Sequence, residues 1–336
     1  MQYKVSIVII ARNEENAIAV CIKAAQNAAD EIGGAEIFLA DSASTDKTAE
    51  IAKSMGVCVL PLLTDWVLSA SAGRFVGSHF AEGDFILFID ADTLVYKGFL
   101  PRAIAHLEAN PKIAGVNGYL HDTDENGNVL NNIEKKFADV TNIDWLRGPC
   151  CFYRATALKA VGSFNPYLTS EEEAELGLRL YKNGWQLQIL PFPMAHHTRC
   201  ANEKNVTSIF VNYKRQFLAR RLGGLTKSVG YAFKGGYGLI FCWTRLKTTI
   251  LFSIWILIML CGLMLPDFLF PKSIFTLSLL LGIAMVLVKK RSVFETFAFF
   301  VLKTLSILNL IVGIGQISFK SPNDYPLSKI TPMKNP

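Results

Sequence analysis

Four short apolar runs near the start of the chain each stop at a polar cluster, and this punctuation constrains the fold more than any other feature. Lys4–Ile10, Glu36–Ala40, Val57–Leu60 and Phe85–Ile89 read as buried strands. Between them, Glu14–Ala28, Thr45–Met55 and Ser69–Phe80 carry helical spacing, with Thr45 or Asp46 as the expected cap of the second helix. Strands alternating with helices predict an α/β fold with a mostly parallel sheet flanked by helices. Ligands of such sheets sit at the carboxyl ends of the strands. The polar residues that fall there are Arg12-Asn13-Glu14, Asp41-Ser42 and Asp90-Ala91-Asp92.

Further along, Ile113–Leu120, Cys150–Tyr153 and Leu187–Leu190 are expected strands, and residues 124–128 an expected turn. A short helix is expected from Ala155. A second, Glu171–Asn183, is expected to end at Gly184, and Pro191, Pro193 and the pair His196-His197 follow the last strand. The turn after the first strand is acidic and free of glycine, and no Walker lysine loop is present, which argues against a dinucleotide oxidoreductase or a P-loop NTPase.

The last third has a different composition. Hydrophobic residues make up 51% of the 336, and the excess lies after about residue 248, in Thr248–Leu265, Ser273–Val288 and Phe294–Ile317. The first is close to the ~20 residues that a spanning helix needs. The second is shorter, and the third carries Glu295 and Lys303. Residues 203–247 hold nine Lys and Arg against one acid, Glu203, although the whole chain carries only +6. A basic block leading into apolar spans fits the anionic inner face of a membrane better than it fits nucleic acid. Lys289-Lys290-Arg291 is then expected on the cytoplasmic side and the loop before Lys272 outside; the C-terminus is outside too if all three spans cross. The opening VSIVII is too short for a signal-peptide core. Seven scattered cysteines without a CxxC pair indicate reduced thiols.

Asp90 and Asp92 are two residues apart on an extended chain and project to one side. Carboxylates held so close repel unless a proton or a cation joins them. Mg²⁺ is commonly held by one or two carboxylates together with substrate phosphates. In a surface loop such a pair is simply solvated, but at the end of a fourth strand it predicts a site for a metal-bound diphosphate. In SEEEAELGLRL, helix-dipole stabilisation alone accounts for acids in a first turn. Glu173, however, shares a stripe with Leu176, Gly177 and Leu180, so it faces inward, where a raised pKa suits a general base. Glu175 and Arg179 form a favourable i,i+4 pair on another face. One of His196 and His197 is a candidate ligand of the metal at Asp92, and Arg74 a candidate counter-charge for phosphate.

Taken together, these segments resemble the inverting nucleotide-sugar transferases of glycosyltransferase family 2, with their GT-A fold. VSIVIIARNEE is similar to the family's opening strand and turn, LADSASTDKT to its second strand and loop, and FIDADT to its Asp-x-Asp strand. GPCCFYRATALKAVGSF is similar to its acceptor-side segment and EEAEL to its catalytic helix. The resemblance covers roughly residues 3–200. It implies Asn13, Glu14, Asp41, Arg74 and Asp90 around the nucleotide sugar, and Asp92, Asp90, His197 and His196 around Mg²⁺ or Mn²⁺. It implies Glu173 as the catalytic base, with Glu172, Trp145 and Arg154 on the acceptor side. Ala43 and Phe75 depart from the family's usual glycine and asparagine, and Glu173 from its more frequent aspartate. The Gln-x-x-Arg-Trp motif of processive synthases is missing.

The expectation is therefore a GT-A domain over residues 1–203, a basic interface segment 204–247, about three transmembrane helices within 248–317 and a tail 318–336. Such a protein would be a multi-pass inner-membrane enzyme with a cytoplasmic catalytic domain. It would move one sugar from a nucleoside-diphosphate sugar to a lipid-linked or glycan acceptor, with nucleic acid excluded as partner. Rival readings are a polyprenyl-phosphate glycosyl synthase and a non-catalytic scaffold that binds nucleotide sugar.

Overall fold

The computed structural model describes residues 4–123, 129, 133–198, 224–264, 272–314 and 319–334. The turn expected at 124–128, the amphipathic stretch 206–222 with the domain boundary near 203, and the expected outer loop 266–271 lie outside the described residues. Two compact units form: Met1–Ala201 with Lys320–Pro336, and Asn202–Phe319.

The first unit is built on one sheet. Strands β1 (Val5–Ala11), β2 (Glu36–Asp41), β3 (Cys58–Pro61) and β4 (Phe85–Asp90) lie parallel in the order β3-β2-β1-β4. Every β1 residue is buried, as a central strand covered on both faces must be. Helices α1 (Ile18–Asp30), α2 (Thr48–Ser54) and α3 (Ala70–Phe80) connect these strands. The second helix starts later than expected, and Lys47, not Thr45 or Asp46, occupies its cap position.

Beyond β4 the direction changes. β8 (Cys150–Arg154) runs antiparallel to β4, and β6 (Ile113–Thr123) antiparallel to β8. β9 (Gln186–Thr198) runs parallel to β6, and β5 (Thr93–Val95) and β7 (Thr141–Ile143) each pair antiparallel with β9. The sheet is thus mixed, and Pro191 and Pro193 lie inside β9 where a strand end is expected. Ile189 aligns with Asn117 and Pro193 with Tyr119, so the intervening residues bulge out of the ladder, where a proline is tolerated. Helices α4 (Phe99–Ala109), α5 (Ile133–Lys136), α6 (Ala155–Val161) and α7 (Glu172–Lys182) complete the unit. The main core joins β1, β4 and β8 to α1 and α4 through Ile7, Ile9, Leu87, Ile18, Phe99 and Phe152.

In the second unit the helices Lys247–Met264, Lys272–Lys290 and Val293–Ile314 cover the three apolar spans. Among the described residues one helix, Gly238–Cys261, is long and apolar enough to cross a membrane.

Candidate active site

The carboxyl ends of β1, β2 and β4 gather the polar clusters anticipated from sequence. After β1, Asn13 adopts a left-handed conformation, and its side-chain oxygen accepts from the Thr45 N–H at 2.8 Å. The Glu14 N–H donates to the Thr48 hydroxyl at 2.8 Å, which ties the β1 turn to the β2 loop. Burial first, then the charge of Asp92, pushes the Glu14 carboxyl up from its ordinary value. At the end of β2, Asp41 accepts from the Ser44 N–H at 3.2 Å through Oδ2, while its buried Oδ1 has no partner among the described residues. An orphaned, buried acceptor carries a desolvation cost that a ligand N–H would remove. Ala43 sits in that loop at a φ of 56°. This is the left-handed region glycine tolerates best, which accounts for the usual glycine there.

Arg74 is the hub of the site. Its helix α3 begins at Ser69, whose hydroxyl accepts from the Ala72 N–H at 3.1 Å. The Arg74 side chain is 2% exposed. Its guanidinium donates to Asp90 Oδ1 at 2.9 Å, to the Gly148 carbonyl at 2.9 Å and to Glu173 Oε1 at 3.2 Å. Glu172 Oε1 stands 3.5 Å away. Burial opposes the arginine's charge, but Asp90 and Glu173 outweigh it and raise its pKa. Arg74 is therefore engaged with the acids and not turned outward as a phosphate counter-charge. Gly148 permits this approach, since a Cβ there would run into the Glu173 carboxylate.

Glu173 lies in the first turn of α7 and is partly buried. Burial raises its pKa against the lowering influence of Arg74 and of a backbone hydrogen bond. For Asp90 burial likewise prevails over the pull of Arg74. On another face of α7, the buried Glu175 forms the expected i,i+4 pair with Arg179 at 2.7 Å.

Asp90 and Asp92 do not share one partner. β4 ends at Asp90 and the chain turns at Ala91, so strict strand alternation stops between them. Asp90 goes to Arg74, and Asp92 Oδ2 lies 3.1 Å from His197 Nε2. Register chooses between the histidines. The β5–β9 ladder sets Thr93 against His197 and Leu94 against His196. His196 accordingly packs near the Tyr96 ring, with centroids 5.4 Å apart, and burial lowers its pKa. His197 Nδ1 meets Asp122 Oδ1 at 3.3 Å, and Asp122 Oδ2 accepts from Arg147 at 3.3 Å.

The anticipated metal set of Asp90, Asp92, His196 and His197 is thus not assembled. Among the described residues no three His, Cys, Asp or Glu side chains come together as ligands for an ion. Asp92 and His197 remain, a partly exposed carboxylate and an imidazole held from behind by a second carboxylate. Such a donor pair fits a hard divalent cation that takes its other ligands from phosphate oxygens and water. Arg154 departs from expectation altogether. It pairs with Phe85 at the far end of β4 and donates to the carbonyls of Ile113 and Leu107, a structural role.

Beside the Asp122–Arg147 pair lies a cavity of 620 Å³, lined by Asn117, Asp122, Lys136, Asp144, Trp145 and Arg147 among others. Gly177 of α7 packs against the backbone of Asp144 and Trp145, where a Cβ would collide, so the helix bearing Glu173 also supports this wall. Of the residues expected on the acceptor side from sequence, Trp145 lines this cavity; Asp122, Arg147 and Gly148 are absent from the sequence-derived set. Asp122 ends an apolar run much as Asp90 does, and that signal was available.

A mixed α/β sheet flanked by helices, with a carboxylate pair where β4 ends, is a GT-A-like arrangement. Family models agree: residues 6–162 match glycosyl transferase family 2 and residues 85–289 match glycosyl transferase family group 2, so the chain belongs to the family 2 glycosyltransferases. The chain is 24% identical over 191 residues to the UDP-forming cellulose synthase catalytic subunit of Komagataeibacter sucrofermentans, a match covering 52% of this chain and 25% of that protein. It is 28% identical over 117 residues to the 4,4'-diaponeurosporenoate glycosyltransferase of Staphylococcus haemolyticus, covering 33% of this chain and 30% of that protein. The chain therefore matches under a third of the length of either relative. Among solved structures, S. aureus TarS 1-349 in complex with UDP-GlcNAc superposes with a TM-score of 0.49 at 22% identity, covering 60% of each chain.

Proposed function

We propose that this protein is a membrane-anchored, inverting glycosyltransferase that moves one sugar from a nucleoside-diphosphate sugar to a hydroxyl of a lipid-linked acceptor. The observation that carries the reading is the Arg74 bridge, which holds Glu173 at one terminal nitrogen of the guanidinium and Asp90 at the other. Asp41, with its orphaned Oδ1, would accept a hydrogen from a ring N–H of the base, and Asn13 and Glu14 would line the nucleoside. Asp92 and His197 would hold a Mg²⁺ or Mn²⁺ ion, which supplies positive charge for the departing diphosphate. Glu173 takes the proton of the acceptor hydroxyl, whose oxygen bonds to the anomeric carbon as the bond to the diphosphate oxygen breaks. A single base on the face opposite the leaving group gives inversion. The cavity beside Asp122 and Trp145 would take the acceptor.

The membrane part of the reading rests on exposed apolar side chains: Leu251, Leu257, Leu260, Leu280, Met285 and Val288 are all more than half exposed. Water does not favour such surfaces, but lipid does. The basic run before them suits an anionic lipid face.

The Glu173→Gln variant should lose turnover and keep nucleotide binding, measured by nucleoside-diphosphate release and by calorimetry with a panel of donors, with and without Mg²⁺. Unchanged turnover on a hydroxyl acceptor removes Glu173 as base. Turnover kept on bare polyprenyl phosphate, which is already anionic and needs no base, favours the phosphate-acceptor synthase.

A further inference from the structure

Residues 320–336 belong to the same compact unit as residues 1–201, although the apolar helices intervene. Met333 forms an antiparallel bridge with Val59 on the edge strand β3, through hydrogen bonds of 2.9 and 2.8 Å. Tyr325 is 3% exposed. Its ring lies 5.6 Å from Trp66, 5.8 Å from Phe75 and 5.8 Å from Tyr167, centroid to centroid, and its hydroxyl donates to the Val67 carbonyl at 2.9 Å. Ser321 and Asp324 close a capping box at the start of the segment. The contacts are specific in what they touch. Leu62, which opens the loop carrying Trp66 and Val67, donates its N–H to the Asp41 carbonyl at 2.9 Å. Phe75 follows Arg74 on α3. The tail therefore grips α3, which carries the hub arginine, and the loop after β3, whose first residue bonds the backbone of Asp41 at the end of β2.

Within the apolar unit, the Lys247–Met264 and Lys272–Lys290 helices are joined by a hydrogen bond from Trp255 to Ser278 at 3.2 Å. The third helix, Val293–Ile314, meets the chain upstream of the first span. Lys303 donates to Thr249 in the first turn of that span at 3.0 Å. The Leu310 carbonyl accepts from Thr226, in the helix Gly224–Lys234 that precedes it, at 3.0 Å. Leu310 thus lies beside the helix that precedes the apolar segment, and Lys303 beside the first half of the spanning helix Gly238–Cys261, not at its far end.

From these two sets of contacts we infer that the apolar segment crosses the bilayer an even number of times, as one helical hairpin, and that residues 320–334 return to the catalytic side as a strap that sets α3 and the loop 62–69 beside Asp41. The crossing number rests on the membrane reading given above; the strap does not. An outside C-terminus, expected from three crossings, is incompatible with a Met333–Val59 bridge in a cytoplasmic domain. The same contact explains why Phe75 replaces an asparagine: it is a wall of the Tyr325 socket.

Two measurements on the full chain test this. With Cys200, Cys242 and Cys261 changed to serine, Ser273→Cys and Lys334→Cys reporters are exposed to a membrane-impermeant maleimide in intact and in lysed cells. Labelling of Ser273→Cys in intact cells with Lys334→Cys reacting only after lysis is the expected result; labelling of Lys334→Cys in intact cells overturns the inference. If neither reacts before lysis and alkaline carbonate releases the protein, the membrane reading falls and takes the crossing number with it, while the second measurement still decides the strap. Tyr325→Ala should raise the donor KM about fivefold with little change in kcat, and Tyr325→Phe, which keeps the ring contacts, should raise it less. A merely structural tail would lower the melting temperature and leave donor KM alone below it, and that outcome overturns the strap.

Discussion

Burial and Arg74 pull the Glu173 carboxyl in opposite directions. The arginine's charge lowers the Glu173 pKa, burial raises it, and burial prevails. A base with a raised pKa loses activity as pH falls through that higher value, so the acid limb of the rate profile should lie above the ordinary carboxylate range of about 4. Arg74→Gln removes the lowering influence only, so the acid limb should move further up in pH. A downward shift in the kcat–pH profile would refute the bridge as the controlling contact. Stability should suffer as well, because removing one partner of a buried ionic cluster leaves the others uncompensated, at a cost of about 3–5 kcal/mol. Lysine at position 74 keeps the charge but not the fork that reaches Asp90, Gly148 and Glu173 together. Ala43 illustrates the opposite economy, a residue held at φ 56° with no side chain that could repay the strain.

At the level of elements, the ladder between β5 and β9 selects the histidine. Thr93 opposite His197 sets that imidazole against Asp92, and the β6–β9 register sets Asp122 behind it. A carboxylate behind a ligating histidine fixes its tautomer, and losing such a partner costs roughly 10–100-fold in metal affinity. Asp122→Asn should therefore weaken Mn²⁺ binding by about that factor, read by electron paramagnetic resonance of the free ion and not by activity alone. Unchanged Mn²⁺ affinity would release Asp122 from this role. The same register explains what could and could not be read in the sequence. β1, β2, β3 and β4 announce themselves as apolar runs ending in polar residues, and the places of Asp90 at a strand end and Glu173 in a first helical turn follow from periodicity, whereas Asp92 lies past the turn at Ala91, where strand alternation no longer holds. The choice of His197 over His196 needs the three-residue β5, too short to carry a pattern. Strand direction leaves no trace in hydropathy, so the antiparallel β8 could not be foreseen. Pro191 and Pro193 read as a terminus because a proline withholds its N–H from a ladder, and only the bulge shows how β9 passes them.

For the whole molecule, the catalytic unit is discontinuous in sequence. Residues 1–201 alone would leave the β3 edge unpaired and the Trp66–Phe75–Tyr167 socket open. Joining residues 319–336 to that fragment through a flexible linker should recover roughly 3 kcal/mol in denaturant melts, comparable with burying one large aromatic side chain. Equal stability of the two soluble chains would count against it. The discontinuity also orders events at the ribosome. Tyr325 and Met333 are synthesised only after the entire apolar segment, at rates that leave the β3 edge uncovered for some tens of seconds, roughly 14–55 s at about 5–20 residues per second. During that interval the nascent chain offers a bare strand to any neighbour, and the sheet closes its edge only when Met333 arrives.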